Sequence, residues 1–313
     1  MISRSDVEAA RARIGDRVCT TPVFYDGDRW LKLEQLQHTG SFKARGAFNR
    51  ILAAAEQSGV PDAGVVTASG GNAGLAAAYA ARELGLPVEV YVPETAPAVK
   101  VTGLKALGAA VVQVGREYAE AYDAATKRVA DTGALFCHAY DQPEICAGQG
   151  TLALELEEQT GGVDTVLVAV GGGGLMAGIA AALEGRSRVV AVEPHGCLSL
   201  HAALTAGEPV DVEVSGVAAD SLGARRIGDI AFDVARRTGV TSLVVTDEDV
   251  MAARRELWRR YHLVLEHGTA AAYAALLTGA YRPAPGERVA VICCGANTDP
   301  ADVTERGTEG IAG

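Results

Sequence analysis

The chain has 313 residues, too many for one compact core and enough for two lobes. Apolar residues make up 49% and aromatics only 5%, so Ala and Val carry the interior, as tightly packed helices on a parallel sheet require. A net charge of −11 with no dense basic cluster argues against nucleic acid or an anionic membrane surface as partner. No apolar run approaches a membrane span, and Met1-Ile-Ser-Arg-Ser-Asp6 carries no signal segment. The six cysteines, at 19, 137, 146, 197, 293 and 294, form no C-x-x-C pair and no zinc-type spacing. A reducing, cytoplasmic setting is the expectation.

Strand-like runs alternate with helical ones along the chain. Val65–Ala68 leads into a helix over Asn72–Arg82. Val88–Val92 ends at Pro93 and precedes a helix over Val99–Leu107, then a strand over Ala109–Val114 and a helix over Glu117–Thr132. Thr165–Val170 reads as a buried strand, followed by Gly171–Gly174 and a small-residue helix over Leu175–Leu183. Strands over Arg188–Val192, Ser242–Val245 and Arg288–Ile292 follow. Glu248–Leu263 has the period of an amphipathic helix, with Asp247 as its cap and Arg254, Arg255, Arg259 and Arg260 as its solvated face. The tail Gly307–Gly313 reads as frayed. The pattern predicts an α/β protein with two lobes of mostly parallel open sheet covered by helices. Residues 47–146 hold their own strand–helix units, so they read as a smaller lobe inserted into a larger one made of 1–46 and 147–313.

Four consecutive glycines between a buried strand and a helix leave a loop of free N–H groups at the positive end of a helix dipole, a ready site for a phosphate. Two readings compete. Gly172-x-Gly174-x-x-Ala177 also fits a dinucleotide fingerprint, with Glu193, 19 residues past Gly174, placed to bind a ribose. That reading leads to a nicotinamide-dependent oxidoreductase or a non-catalytic nucleotide binder. No lysine–serine pair follows the glycines, which excludes a triphosphate P-loop. Three more polar or glycine-rich spots fall at element ends: Ser41-Phe42-Lys43, Ser69-Gly70-Gly71-Asn72 and Cys293-Cys294-Gly295-Ala296-Asn297. Phe42, Ala44, Ala47 and Phe48 surround Lys43, and desolvation of its ammonium would make the amine a nucleophile.

Ser41-Phe-Lys-Ala-Arg-Gly-Ala47 resembles the Schiff-base lysine motif of the pyridoxal-phosphate enzymes related to tryptophan synthase β, in the serine/threonine dehydratase and serine racemase branch. Ser69-Gly-Gly-Asn-Ala-Gly74 resembles that branch's carboxylate loop, Ala147-Gly-Gln-Gly-Thr151 a further signature, the tetraglycine its phosphate cup, and Cys294-Gly-Ala-Asn297 the segment beside the pyridine nitrogen. The resemblance runs in order from about residue 20 to 300, nearly the whole chain.

It implies a tryptophan synthase β-like fold, pyridoxal 5'-phosphate as cofactor, a small amino acid as substrate and a homodimer. Lys43 would carry the cofactor and take the Cα proton. The N–H groups of Gly171, Gly172, Gly173, Gly174 and Leu175 would hold the phosphate, itself a proton donor to the leaving hydroxyl. Phe42 would lie by the ring, Asn72 bond its 3′-oxygen and Cys294 face its nitrogen, with Cys293 pointing into the core. Ser69, Gly70, Gly71, Asn72, Ala73 and Gln149 would bind the substrate carboxylate. The implied reaction is β-elimination of L-threonine or L-serine to a 2-oxo acid and ammonia. The alternatives on the same scaffold are serine racemase-like and 3-hydroxyaspartate dehydratase activities.

Three departures refine this. Racemases of the branch carry serine where this chain has Gly70, so racemisation lacks its second acid/base. The β-replacement branch has Lys-Asp-Arg where this chain has Lys43-Ala-Arg45. Relatives that bind a cation do so near a Glu-Pro turn. Here Glu193-Pro194 is present, but Ser199 stands where racemase-like members have Asp, and Asp220-Ser221 departs from Asp-Gly. A cation at Glu193 is therefore possible but not predicted, and Glu193 reads equally as a capped loop carboxylate. The chain ends soon after Asn297, so feedback control through an added domain is not expected.

Overall fold

Residues 2–304 are described by a computed structural model. Among them ten strands form two sheets: β1 (Val23–Tyr25), β2 (Arg29–Lys32), β3 (Val65–Ala68), β4 (Val88–Val92), β5 (Ala110–Gln113), β6 (Leu135–Phe136), β7 (Thr165–Ala169), β8 (Arg188–Pro194), β9 (Thr241–Val245) and β10 (Val289–Ile292). The larger sheet runs β1-β2-β10-β7-β8-β9 and is parallel except for the β1–β2 hairpin. The smaller, β5-β4-β3-β6, is parallel throughout.

Strand side chains alternate between faces. In the larger sheet Val166, Val168, Ala191, Ala290 and Ile292 point into a core with the helices Pro143–Thr160, Gly174–Ala182 and Asp229–Thr238. Leu167, Val190, Val192, Val289 and Val291 point the other way, onto Asp247–Tyr261 and His267–Leu277. Burial on both faces is why these strands read as unbroken apolar runs. From β7 the sheet grows outward through β8 and β9, and the chain then returns to lay β10 on the opposite side of β7. The loops after β7 and β10 therefore part at a switch point, where open parallel sheets take ligands. Those loops are Gly171–Gly174 and Cys293–Asn297.

Behind this point lies a buried network of four charges. Arg45 donates to Glu34 and Glu155, each at 2.7 Å, and Lys32 Nζ lies 2.7 Å from Glu155. Lys32, Glu34 and Arg45 are fully buried. The network ties the end of β2 to the helices Lys43–Gln57 and Pro143–Thr160.

Two expectations are corrected. Thr246, not Asp247, caps the helix Asp247–Tyr261: its hydroxyl accepts from Asp249 N at 3.1 Å, and Asp249 accepts from Thr246 N at 3.0 Å. The Asp247 carboxylate instead accepts from Val217 N at 3.1 Å. Arg254 is buried rather than solvated, donating to Leu265 O at 2.6 Å and Thr298 Oγ1 at 3.1 Å. Gly307–Gly313 lies outside the described residues. Among those described, no helix is long and apolar enough to cross a membrane.

Replacing Arg45 with Met leaves Glu34 and Glu155 buried with a deficit of positive charge. We expect a loss of about 3–5 kcal/mol of stability, the usual result of removing one partner from a buried pair. Urea unfolding followed by circular dichroism measures it.

Candidate active site

The helix Lys43–Gln57 begins at the reactive amine itself. The segment before it is stitched to the end of β10: Phe42 N donates to Cys294 O at 3.1 Å, and Ser41 forms an antiparallel bridge with Gly295. Lys43 is part-buried. Its Nζ donates to Ala139 O at 2.7 Å and sits 5.0 Å from the centre of the Phe42 ring. Desolvation lowers its pKa to about 8, although Cys146, Cys294, Cys137 and Glu266 pull the other way. Burial pushes all three thiols up to about 12, so they stay protonated. Cys294 Sγ lies 3.1 Å from Thr269 Oγ1. Cys293 joins the core on the opposite sheet face.

The glycine loop is shaped by what surrounds it. A Cβ on Gly172 would meet the Tyr140 ring at 2.2 Å, and one on Gly174 would meet Tyr140 O at 2.5 Å. Gly173 has φ +85°, a left-handed conformation that favours glycine, and caps the helix Gly174–Ala182. Among the described residues, the N–H groups of Gly171, Gly172, Gly173, Gly174 and Leu175 have no acceptor; the first bonded one is Ala177 N, which donates to Gly173 O. Such a run of free donors at a helix N-terminus forms an anion cradle.

The helix Asn72–Glu83 presents a second such end. Gly71 N donates to Ser69 Oγ at 3.3 Å, while the N–H groups of Asn72, Ala73 and Gly74 have no acceptor among the described residues. The Asn72 amide donates to both oxygens of Glu266, at 2.8 and 3.1 Å, and accepts from Asn297 Nδ2 at 2.7 Å. Glu266 also accepts from Asn297 N at 2.8 Å, yet burial still pushes its pKa up. Glu266 carries no motif of its own in the sequence. The available signal was its place directly before the apolar helix His267–Leu277.

Two expected ligand contacts are corrected. Gln149 does not join the carboxylate loop. It is buried where the helices Lys43–Gln57 and Pro143–Thr160 cross, and its Oε1 accepts from Gly46 N at 3.3 Å. Glu193 does not face a crevice as a ribose ligand must. It is fully buried, accepts from Leu200 N and His201 N at 2.8 Å each and from Ser242 Oγ at 3.0 Å, and burial raises its pKa to about 7. It caps the first turn of the helix Ser199–Ala206, the capped-carboxylate alternative, and Ser199 Oγ donates to Gly171 O at 2.5 Å.

A desolvated amine, an anion cradle and a neutral thiol are the donor set that pyridoxal phosphate requires. Residues 22–295 match the family of pyridoxal-phosphate dependent enzymes. The chain belongs to that family. It is 34% identical over 310 residues to an L-threonine ammonia-lyase of Thermotoga maritima, covering 96% of this chain and 76% of that protein. It is 36% identical over 308 residues to a phenylserine dehydratase of Ralstonia pickettii, covering 95% and 94%. The structure of maize serine racemase superposes with a TM-score of 0.89 at 30% identity, covering 95% of this chain and 94% of that one. As a member of this family the protein uses pyridoxal phosphate on two helix-covered, mostly parallel sheets.

An amine with a lowered pKa is neutral, and so reactive, at lower pH. Labelling of Lys43 by pyridoxal phosphate and borohydride, read by peptide mass spectrometry, should rise with a midpoint near the pKa of about 8. An ordinary lysine would follow a midpoint of about 10.4. A Lys43 profile at the ordinary value would refute the desolvated amine.

Proposed function

We propose that the protein eliminates the β-hydroxyl of L-threonine or L-serine as water and releases a 2-oxo acid and ammonia. The observation that carries this reading is the setting of Lys43. Ala139 and Tyr140 tie its amine to the glycine cradle on one side, and Cys294 to Asn297 tie it to the Asn72 helix on the other. The relatives named L-threonine ammonia-lyase and phenylserine dehydratase support a reaction of this class.

Lys43 would hold the cofactor's aldehyde carbon, the N–H groups of Gly171–Leu175 its phosphate, Asn72 its ring oxygen and Cys294 its ring nitrogen, with Phe42 beside the ring. The cofactor supplies a conjugated ring that draws electrons from Cα. The Lys43 amine then takes the Cα proton, and its lowered pKa leaves it neutral enough to do so near pH 8. Ser69 and the N–H groups at the start of the Asn72 helix orient the α-carboxylate. The protonated Cys294 thiol places no negative charge beside the ring nitrogen, which suits departure of a β-group rather than a long-lived carbanion. The Cα–H and Cβ–O bonds break, water leaves, and the resulting enamine tautomerises and is hydrolysed.

The assignment of 47–146 to a small lobe is part of the same proposal, supported by the smaller sheet lying wholly between residues 65 and 136. So is a cytoplasmic homodimer: six unpaired cysteines suit a reducing compartment, and Phe24 and Tyr25 on edge strand β1 expose a surface for a second copy.

Release of 2-oxo acid from L-threonine by the cofactor-loaded protein tests the function. Lys43→Ala should fold and keep less than about a hundredth of the rate, because losing a mere proton shuttle costs roughly 10²–10⁴. Gly70 has room for a side chain, since an added Cβ would meet only Val92, at 3.4 Å. Gly70→Ser should therefore gain inversion at Cα, measured as D-serine formed from L-serine in deuterated water.

A further inference from the structure

Five of the six cysteines are buried, and burial raises the pKa of each, so none is a ready nucleophile at neutral pH. Cys19 differs, because it is exposed. It also does not stand alone. Its Sγ lies 3.6 Å from Nε2 of His38, whose Nδ1 lies 3.1 Å from the Tyr79 hydroxyl. The imidazole stacks on the Tyr79 ring with centres 4.8 Å apart, and the buried Phe48 packs edge-on to that ring at 5.9 Å. Thiol, imidazole and phenol form a chain of nucleophile, base and orienting group, the arrangement that activates a cysteine. None of the three has a part in the chemistry at Lys43.

The thiol and its base are held at a fixed spacing by one buried side chain. Gln37 clamps the Cys19 backbone: Cys19 N donates to Gln37 Oε1 at 3.0 Å, and Gln37 Nε2 donates to Cys19 O at 2.7 Å. His38 N donates to the same Oε1 at 3.1 Å. Arg45 adds a bond to Cys19 O at 3.2 Å, which ties the segment to the buried charge network. Both residues therefore hang from one amide, and the exposed Sγ meets its imidazole without first ordering a loop.

We propose that Cys19 is a site of covalent modification by small-molecule disulfides, with His38 as its base. The Tyr79 hydroxyl accepts the Nδ1 hydrogen, which leaves the Nε2 lone pair facing Sγ. Nε2 takes the thiol proton as Sγ attacks one sulfur of the disulfide. The S–S bond of the reagent breaks and a new one forms to Cys19. The other half leaves as a thiolate and recovers the proton from the imidazolium. One thiol and one disulfide enter and one of each results: Cys19 is oxidised to the mixed disulfide and the reagent is reduced to a thiol, so an added thiol reverses the step. The inference is independent of the reaction at Lys43.

The test uses the full chain loaded with cofactor, near neutral pH, with oxidised glutathione to form the adduct and the aromatic disulfide dithiobis-nitrobenzoate to time the reaction. Peptide mass spectrometry should place the first adduct on Cys19, and dithiothreitol should remove it. Any surface thiol would label eventually, so the rates decide. An unassisted cysteine is a few per cent thiolate at pH 7, so a base can speed its attack by at most roughly thirtyfold. His38→Ala should slow the exchange about tenfold, within that ceiling. Tyr79→Phe keeps the stack and loses the hydroxyl, and it should slow the exchange roughly threefold. If circular dichroism shows that His38→Ala misfolds, Tyr79→Phe decides alone. A first adduct on another cysteine overturns the proposal. So does a rate equal to that of wild type in His38→Ala, or in Tyr79→Phe where it decides alone, because Cys19 would then be an exposed thiol without a base.

Discussion

Everything at the site depends on the direction in which one helix starts, and four buried charges set that direction. Lys43 and Arg45 are two residues apart, so they leave the helix roughly 200° from each other. Arg45 points inward to Glu34 and Glu155, and Lys43 is thereby turned toward the site. Each buried charge costs several kcal/mol to desolvate, so such a network persists only when it is balanced and hydrogen-bonded throughout. Here two cations meet two carboxylates. Thr21 O and Gln159 take the remaining donors of Lys32, at 2.8 and 3.0 Å, and Thr151 takes one from Arg45 at 3.1 Å. Burial pushes Glu155 up, but its bonds to Arg45 and the charge of Lys32 hold it below the ordinary carboxylate range. Strand, helix and signature segment are locked together by groups that touch no ligand.

On that frame the site follows a simple electrostatic plan. Two helix N-termini offer unpaired N–H groups to two anions, one at Gly171–Leu175 and one at Asn72–Gly74. The amine that links them is kept from full protonation by desolvation, and the thiols around it are kept neutral by the same cause. Fixed positive potential for carboxylate and phosphate, with an uncharged floor under the reacting atoms, is a preorganised arrangement that suits charge moving off Cα.

The parts legible in the sequence were those with local signatures. Four glycines after an apolar strand, a lysine in an apolar setting and a glycine-rich segment after β10 each carry their reason in a few neighbouring residues. What escaped was set by distant partners. The β1–β2 hairpin is short and its burial lacks alternation, so no period marks it. Arg254 looked like its exposed neighbours until Leu265 and Thr298 folded over it. Gln149 lies in a segment whose resemblance suggested a ligand, whereas its surroundings are two crossing helices. Glu266 meets Asn72 from a segment far away in sequence, which no spacing rule reaches.

The pairing of Asn72 with Glu266 carries one more consequence. Asn72 begins a helix on the smaller sheet, while Glu266 and Asn297 belong to segments on the larger one. A ligand that draws on the Asn72 amide must compete with a carboxylate already holding it by two bonds, and Glu266 then loses two of its donors in a buried setting. Site occupancy and the contact between the sheets are therefore thermodynamically linked, and the coupling is reciprocal: whatever strengthens that latch weakens the ligand, and the ligand in turn loosens the latch.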